Sequence, residues 1–318
     1  MDLYNLKKNK LEEVQRVSFD LEKNIQSLVE ENLETLFNLE FVSTEFSVDN
    51  FRLDTLCFDN ETNSFVVLEY KKGSSYSVID QGYSYMSVML NNKSDFILEY
   101  IEKTGKSLKK NEVDFSQSRI IFISPSFNSY QKNSVNFKDV PFELWEIKKF
   151  SNGTISLNQY LSSSKESIQN IEGNKNSVIK DVGKEVKSFE ESDHTSKSSK
   201  SLIQNWEKLK ERFEEMEGVE VVPKKNYITL MYGNKTTWYC TFRKEKIWIE
   251  CVRGNILLDG SNSRNFFTMD DPKKISEEYS WTWKNGVKGN TYRLQFFKDS
   301  DIDYFIYLMK QKYNNLVN

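Results

Sequence analysis

The sequence predicts an α/β domain, a mixed sheet flanked by helices, followed by a smaller α+β domain. Three observations lead there. Over residues 1–160, apolar stretches of strand and helix period follow one another in the order α-β-β-β-α-β-α-β-β. Between Ser162 and Ser201 the composition shifts to Ser, Lys, Glu, Asn and Gly, with Phe189 the one Phe, Trp or Tyr. Such a segment buries too little apolar area to offset its ordering entropy. After it come a helix and four short strands at close spacing. The expected boundaries are therefore 1–160 for the first domain, 161–201 for a flexible linker and 202–318 for the second domain.

The elements follow in order. Residues 11–38 read as a helix, since Leu21, Ile25, Leu28, Val29 and Leu36 recur at spacings of three and four, with Ser18 as N-cap. Glu22, Gln26 and Glu30 form a second line at i, i+4 and i+8, the pattern of a solvated face. Phe41–Val48, Phe51–Phe58 and Ser64–Lys71 read as strands, joined in the last case by the turn residues of Asp59–Ser64 and broken by Gly73-Ser74-Ser75. A helix from Ser77 to Leu90 places Gln81 and Tyr85 on one face and leaves Gly82 free of a side chain where it nears the sheet. Phe96–Lys103 is helical, Lys103–Lys110 a basic loop, Arg119–Pro125 a buried strand and Ser126–Phe137 a helix. Phe142–Phe150 is a strand turned by Asn152-Gly153 into Thr154–Leu157. In the second domain, Leu202–Met216 is an amphipathic helix and 219–223, 226–232, 236–242 and 246–252 are strands. Pro272–Tyr279 reads as a short helix, Tyr292–Phe297 as a strand and Asp299–Tyr313 as a closing helix capped by Asp299 or Ser300.

Chemistry concentrates at Phe51–Tyr85. Alternation puts Asp54 on the face of Leu56 and Phe58, and Glu69 and Lys71 on the face of Phe65 and Val67. The hairpin brings Asp54 beside Glu69 and Lys71. Two carboxylates on an apolar surface repel and resist desolvation, unless a hard divalent cation such as Mg²⁺ sits between them. The alternative is a structural ion pair at a strand end.

The D-x14-E-x-K pattern across this hairpin resembles the PD-(D/E)xK nuclease superfamily. Arg52-Leu53-Asp54-Thr55-Leu56, Val67-Leu68-Glu69-Tyr70-Lys71 and Gln81-Gly82-x-x-Tyr85 together resemble its NucS/EndoMS-like branch. Leu53 departs from the nominal proline and Lys72 from a common arginine. The resemblance covers about residues 15–160 and implies a restriction-endonuclease-like nuclease core. It implies catalytic roles for Asp54, Glu69, Lys71, Gln81 and Tyr85. It also implies Mg²⁺ or Mn²⁺ on Asp54, Glu69 and the backbone carbonyl of Tyr70. Glu22 is the choice for a third acidic residue near the metal, acting through water, with Glu31 as runner-up. The run from Val221-Val222-Pro223-Lys224 through Trp281 to Asp301-Ile302-Asp303-Tyr304 resembles DUF5655, a domain of unknown function, over about residues 200–318.

Composition narrows the classes. The single histidine, His194, lies in the low-complexity stretch, which excludes chemistries built on a structured histidine. The three cysteines, Cys57, Cys240 and Cys251, lie in strand-like runs without C-x-x-C spacing and read as buried hydrophobes of a reducing compartment. Neither a membrane span nor a signal-peptide core is visible, so a cytoplasmic location is expected. The net charge of -3 is unlike the basic balance common among nucleic-acid proteins, leaving phosphate contacts to local patches. Trp238, Tyr239, Trp248, Trp281 and Trp283 lie among Lys235, Arg243, Lys244, Lys246, Lys284 and Lys288, either as a stacking surface or as a half-buried sheet with Lys at its turns. The expected function is metal-dependent hydrolysis of DNA in repair, restriction or phage defence. A nucleic-acid-binding module without turnover and a protein-interaction adaptor built on the second domain are the rivals. DNA is the expected partner, and a homodimer is left open.

Overall fold

The computed structural model describes residues 2–72, 77–162, 164, 166–168, 177–233, 235–263, 266–282 and 287–317. The expected break at Gly73-Ser74-Ser75, and Trp283 and Lys284 of the aromatic–basic set, lie outside the described residues. The chain divides into two compact units, Met1–Ser188 and Phe189–Asn318.

The first unit is built on a mixed sheet. β4 (Glu40–Val48), β5 (Phe51–Asp59) and β6 (Ser64–Tyr70) form an antiparallel meander. β7 (Arg119–Ser124) and β8 (Phe142–Phe150) continue it in parallel with β6, and β9 (Ile155–Tyr160) pairs antiparallel with β8. Strand alternation divides the core. Leu56, Phe58, Phe65, Val67, Ile120 and Phe122 face α3 (Val78–Asn91) and α4 (Lys93–Thr104). Cys57, Val66, Leu68, Tyr70, Ile121 and Ile123 face α1 (Glu22–Glu30) and α2 (Leu33–Phe37). All seven residues of β6 are buried, as expected of a strand covered on both faces. Ser77 caps α3 by accepting the Asp80 N–H at 3.3 Å. The short helix α5 spans Ser129–Ser134.

At Gly82, α3 passes so close to β8 that an added Cβ would lie 2.7–2.9 Å from three ring atoms of Phe142. That ring is held edge-on by Tyr83 and Phe122. Alanine favours a helix interior over glycine by about 1 kcal/mol, but overpacking costs roughly 1–3 kcal/mol. Gly82→Ala is therefore expected to lower stability in urea unfolding. An unchanged midpoint would mean that Phe142 moves aside freely.

The chain before α1 departs from the expected helix over 11–38. β1 (Leu3–Lys7) and β2 (Lys10–Val14) form a separate two-stranded hairpin, and β3 (Arg16–Val17) pairs with the end of β8. Lys8 and Asn9 take left-handed φ values of 48° and 64°, the tight turn that closes such a hairpin. The apolar residues Leu3, Leu6, Leu11 and Val14 serve strand pairing there, so their spacing carried no helical meaning. α1 starts from Leu21, whose N–H donates to Asn24 Oδ1 at 2.9 Å, rather than from Ser18.

The segment expected as linker is shared between the units. Ile168 and Val182 are buried in the first unit's core, and α6 (Ser177–Glu185) packs on α3. α7 (Glu191–Thr195) and α8 (Lys200–Glu214) belong to the second unit. A few well-spaced apolar residues suffice to dock a polar stretch. His194 is likewise folded. It is 3% exposed, with Nε2 2.7 Å from the Lys224 carbonyl oxygen.

The second unit is a six-stranded antiparallel sheet in the order β10-β11-β12-β13-β15-β14. Its strands are β10 (Val219–Pro223), β11 (Ile228–Tyr232), β12 (Lys235–Phe242), β13 (Ile247–Ile256), β14 (Glu277–Thr282) and β15 (Lys288–Phe296). α8 and α9 (Ile302–Val317) bury Trp206, Phe213, Phe305 and Met309 against Trp238, Cys240, Ile249 and Leu294. The expected helix over 272–279 is a turn leading into β14, where strand pairing with β15 lays Trp281 across Gly289. The cap of α9 is Asp301, whose Oδ1 accepts the Tyr304 N–H, rather than Asp299 or Ser300.

Candidate active site

Five of the residues singled out in sequence come together where β5 and β6 meet α3. The β5–β6 register pairs Thr55 with Leu68, so Asp54 and Glu69 stand opposite each other at the next step. Asp54 Oδ2 accepts the Tyr70 N–H at 3.0 Å. Glu69 is 3% exposed, and its Oε1 accepts from Lys71 Nζ at 2.6 Å and from Gln81 Nε2 at 2.7 Å. The same Gln81 amide donates to Tyr85 Oη at 2.8 Å, and Tyr85 in turn donates to the Arg52 carbonyl at 3.5 Å. The i, i+4 spacing on α3 thus ties both side chains to the carboxylate.

The electrostatics are those of a pair held together against repulsion. Burial first, and then the Glu69 carboxylate, push Asp54 from 3.8 to about 7, against the opposing pull of the Tyr70 N–H and Lys71. Glu45 adds to the upward push. It lies between the paired positions Thr44↔Thr55 and Phe46↔Leu53, beside Asp54, in a left-handed backbone conformation, and ion-pairs with Arg52. Burial, followed by the nearby carboxylates, also raises the Tyr85 hydroxyl, which stays protonated at neutral pH. Glu69 Oε2 is buried and has no hydrogen-bond partner. An unpartnered carboxylate oxygen beside a second carboxylate matches the oxygen donor set that a hard divalent cation takes.

The other acidic residues are placed differently. Glu22 is exposed and its Oε1 accepts the Lys72 N–H at 2.7 Å, just past the end of β6. Glu31 is exposed beyond the end of α1, lining a cavity of about 480 Å³ with Glu30, Glu34 and Glu40. Among the described residues no three His, Cys, Asp or Glu side chains converge tightly enough to hold a metal ion.

On the far face of the sheet lies a support that the sequence did not reveal. Gln26, read there as part of a solvated line, is 5% exposed. Its amide lies 3.0 Å from the Asp54 carbonyl oxygen, 2.9 Å from Thr44 Oγ1 and 3.0 Å from Glu30 Oε1, so its two N–H groups are shared among three acceptors. Thr55 Oγ1 joins Glu30 at 2.6 Å and Tyr70 Oη at 3.1 Å. A polar line beside the apolar stripe of the helix, facing a threonine within an apolar strand, was the available signal.

In the second unit, Trp238 is core, while Tyr239, Trp248, Tyr279 and Trp281 lie on the other face of the sheet. Arg293 sits over Trp248 and Tyr279 and pairs with Glu250 at 2.7 Å, and Lys246 lies over Trp248. That face carries both signs of charge.

With a proton-retaining Asp54, the metal-free protein has a pH-dependent stability. The folded state holds this proton more tightly than the unfolded chain. The contribution is therefore complete below about pH 4 and lost as pH rises to about 7 and beyond, a change on the order of 4 kcal/mol. Asp54→Asn is expected to flatten this loss and to raise the melting temperature at about pH 8 in EDTA. Parallel melting curves for both proteins across that range would contradict it.

No family model matches the chain. An uncharacterized protein of Haemophilus influenzae is 37% identical over 317 residues, spanning 98% of this chain and 99% of that protein. Among solved structures, a repair endonuclease from Pyrococcus abyssi matches at 17% identity with a TM-score of 0.25, over 42% of this chain and 49% of that one. The EndoMS–dsDNA2 complex matches at 18% identity with a TM-score of 0.28, over 46% of this chain and 64% of that one. The chain thus spans about half of the first and under two thirds of the second. Among the described residues, no helix is long and apolar enough to cross a membrane.

Proposed function

The chain belongs to the family of the Haemophilus influenzae protein, and we propose that it is a metal-dependent nuclease that hydrolyses DNA phosphodiester bonds. The observation that carries this is Glu69 Oε2, a buried carboxylate oxygen without a partner, opposite an Asp54 carboxyl raised to about 7. A purely structural Glu–Lys ion pair gives no role to that free oxygen beside a second carboxyl.

Asp54, Glu69 and the Tyr70 backbone carbonyl would hold Mg²⁺ or Mn²⁺, with Glu22 reaching it through water. When bound, the cation supplies positive charge for the phosphate and lowers the pKa of a ligated water. Gln81 and Lys71 fix Glu69 through Oε1, so that Oε2 would be left for the cation. Lys71 Nζ is then placed to orient the attacking water and to offset negative charge growing on the phosphate oxygens. Tyr85 stays protonated, holds the Gln81 amide in place and lies beside the DNA path. The setting of such a nuclease would be DNA repair, restriction or phage defence.

The test is a cleavage assay of the purified chain on single-stranded, duplex and mismatched DNA and on RNA, with Mg²⁺ or Mn²⁺ against EDTA. Metal-dependent cutting of DNA is expected. No cleavage of any substrate would remove the enzyme.

A further inference from the structure

The N-terminal hairpin is the one strand pair of the first unit that joins no larger sheet among the described residues. Residues 4–13 are all exposed, and Leu6, Leu11 and Tyr4 are 69%, 67% and 50% accessible on one face, Leu6 directly across from Leu11. A lone two-stranded hairpin is at best marginally stable in water. Its tip is basic, with Lys7, Lys8 and Lys10 around Asn9, while Asp2, Glu12 and Glu13 lie toward the root. Lys7 is paired with Glu12 at 2.7 Å, and Lys8 and Lys10 are exposed. Lys8 takes the left-handed turn position that asparagine or glycine occupies at lower strain, so the turn forgoes stability where it carries charge.

The hairpin stands at the site's end of the sheet. Glu146 pairs with Ser124 of β7 on one edge and Asn158 of β9 on the other. Lys149 pairs with Ile155 of β9 and Val17 of β3. β3 therefore occupies the edge of β8 that β7 leaves, beyond the C-terminal end of β7. At that same end Glu69 and Lys71 emerge from β6, which runs parallel to β7. The chain leaving β3 returns directly to it, with the Asp20 carbonyl accepting from Lys72 Nζ and Glu22 accepting from the Lys72 N–H.

We propose that the Leu3–Val14 hairpin is a duplex-DNA arm, entering a groove with Lys8 and Lys10 on the flanking phosphates and Leu6 and Leu11 against the groove wall. The major groove admits a two-stranded β-ribbon, and lysines with an apolar wedge are the side chains such arms use. A second copy of the chain fits less well. Three side chains offer on the order of 300–400 Å², against about 800 Å² that each partner of a stable interface buries. The proposal rests on the nuclease reading in that it seats duplex DNA at the Asp54–Glu69 end of the sheet.

The experiment measures binding of the full chain to a fluorescent 30-base-pair duplex by anisotropy in EDTA, across a range of KCl concentrations, with light scattering alongside. Each phosphate contact contributes about 0.9 to the salt slope, so K8A/K10A should lower the slope by about 2 and weaken binding at least tenfold at moderate salt. K8R/K10R should restore both. L6A/L11A should weaken binding with the slope unchanged. Melting curves matching wild type would confirm that these exposed changes leave the fold intact. The proposal is overturned if K8A/K10A binds like wild type or if wild type binds no duplex. A change from dimer to monomer in L6A/L11A, with duplex affinity kept, would also overturn it by making a second copy the occupant. Duplex binding that needs the arm, without cleavage in any metal, would keep the arm and discard the nuclease.

Discussion

Asp54→Ala is expected to abolish metal-dependent cleavage and metal binding together, since a Mg²⁺ site with one or two carboxylates cannot spare one. Lys71→Ala should abolish cleavage while leaving DNA affinity largely intact, because one ammonium among many phosphate contacts adds little to ground-state binding. Removing about 3–4 kcal/mol of transition-state stabilisation slows turnover by roughly two to three orders of magnitude. The two changes differ in what they leave behind. Without Lys71, Glu69 loses its ion-pair partner, so this variant should melt lower than wild type in EDTA. Without Asp54, a repelling carboxylate is gone and the Tyr70 N–H loses its acceptor. Cleavage rates, titration calorimetry with Mn²⁺ and melting curves separate the two. Variants that cut at the wild-type rate would place the reaction elsewhere in the chain.

Arg119→Ala should be strongly damaging to the first unit. Arg119 Nη1 meets Asp59 at 2.9 Å and its Nε meets Glu143 at 2.7 Å, with 21% of the side chain exposed. Burial opposes its charge, and the two carboxylates more than offset that, raising its pKa above the usual arginine value. Truncation leaves Asp59 and Glu143 facing each other without a cation, and breaking a buried pair costs about 3–5 kcal/mol. Partial exposure brings the expectation to about 2–4 kcal/mol in chemical denaturation. Arg119→Lys should recover only part of it, because an ammonium cannot direct separate N–H groups at two carboxylates. A loss below about 0.5 kcal/mol for Arg119→Ala would mean that water replaces the guanidinium.

Period-two patterns were the most legible part of the sequence. β5, β6, β7 and β8 fall within a residue or two of expectation, because apolar runs bounded by turn residues have few other uses. Alternation brought Asp54, Glu69 and Lys71 together and i, i+4 spacing put Gln81 and Tyr85 on one helix face, while the meeting of that helix with the carboxylates is what the family resemblance implied. Less legible were elements whose side chains act through exposure or across distance. Leu11 and Val14 are spaced to suit a helix, yet they pair with Leu6 and Leu3 across a turn. Gln26 looked solvated because its partners, Thr44 and the Asp54 carbonyl, lie 18 and 28 residues away. Ile168 and Val182 hold a polar stretch to the core with few buried side chains. Glu45 gave no signal, since its left-handed backbone is a property of the edge strand rather than of its identity.

The change of strand direction at β6 bears on how the chain folds. On one side, β4, β5 and β6 are neighbours in sequence joined by short turns; on the other, β6 and β7 are parallel and separated by residues 71–118. Closing the longer loop loses more chain entropy, and parallel pairing waits on its crossover helices, so the meander has the lower contact order and forms first. Asp54 and Glu69 are thus set against each other before Gln81 and Tyr85 arrive on α3. Their repulsion burdens the nucleus of the fold as well as the finished protein, and the rate of refolding carries the mark of the site.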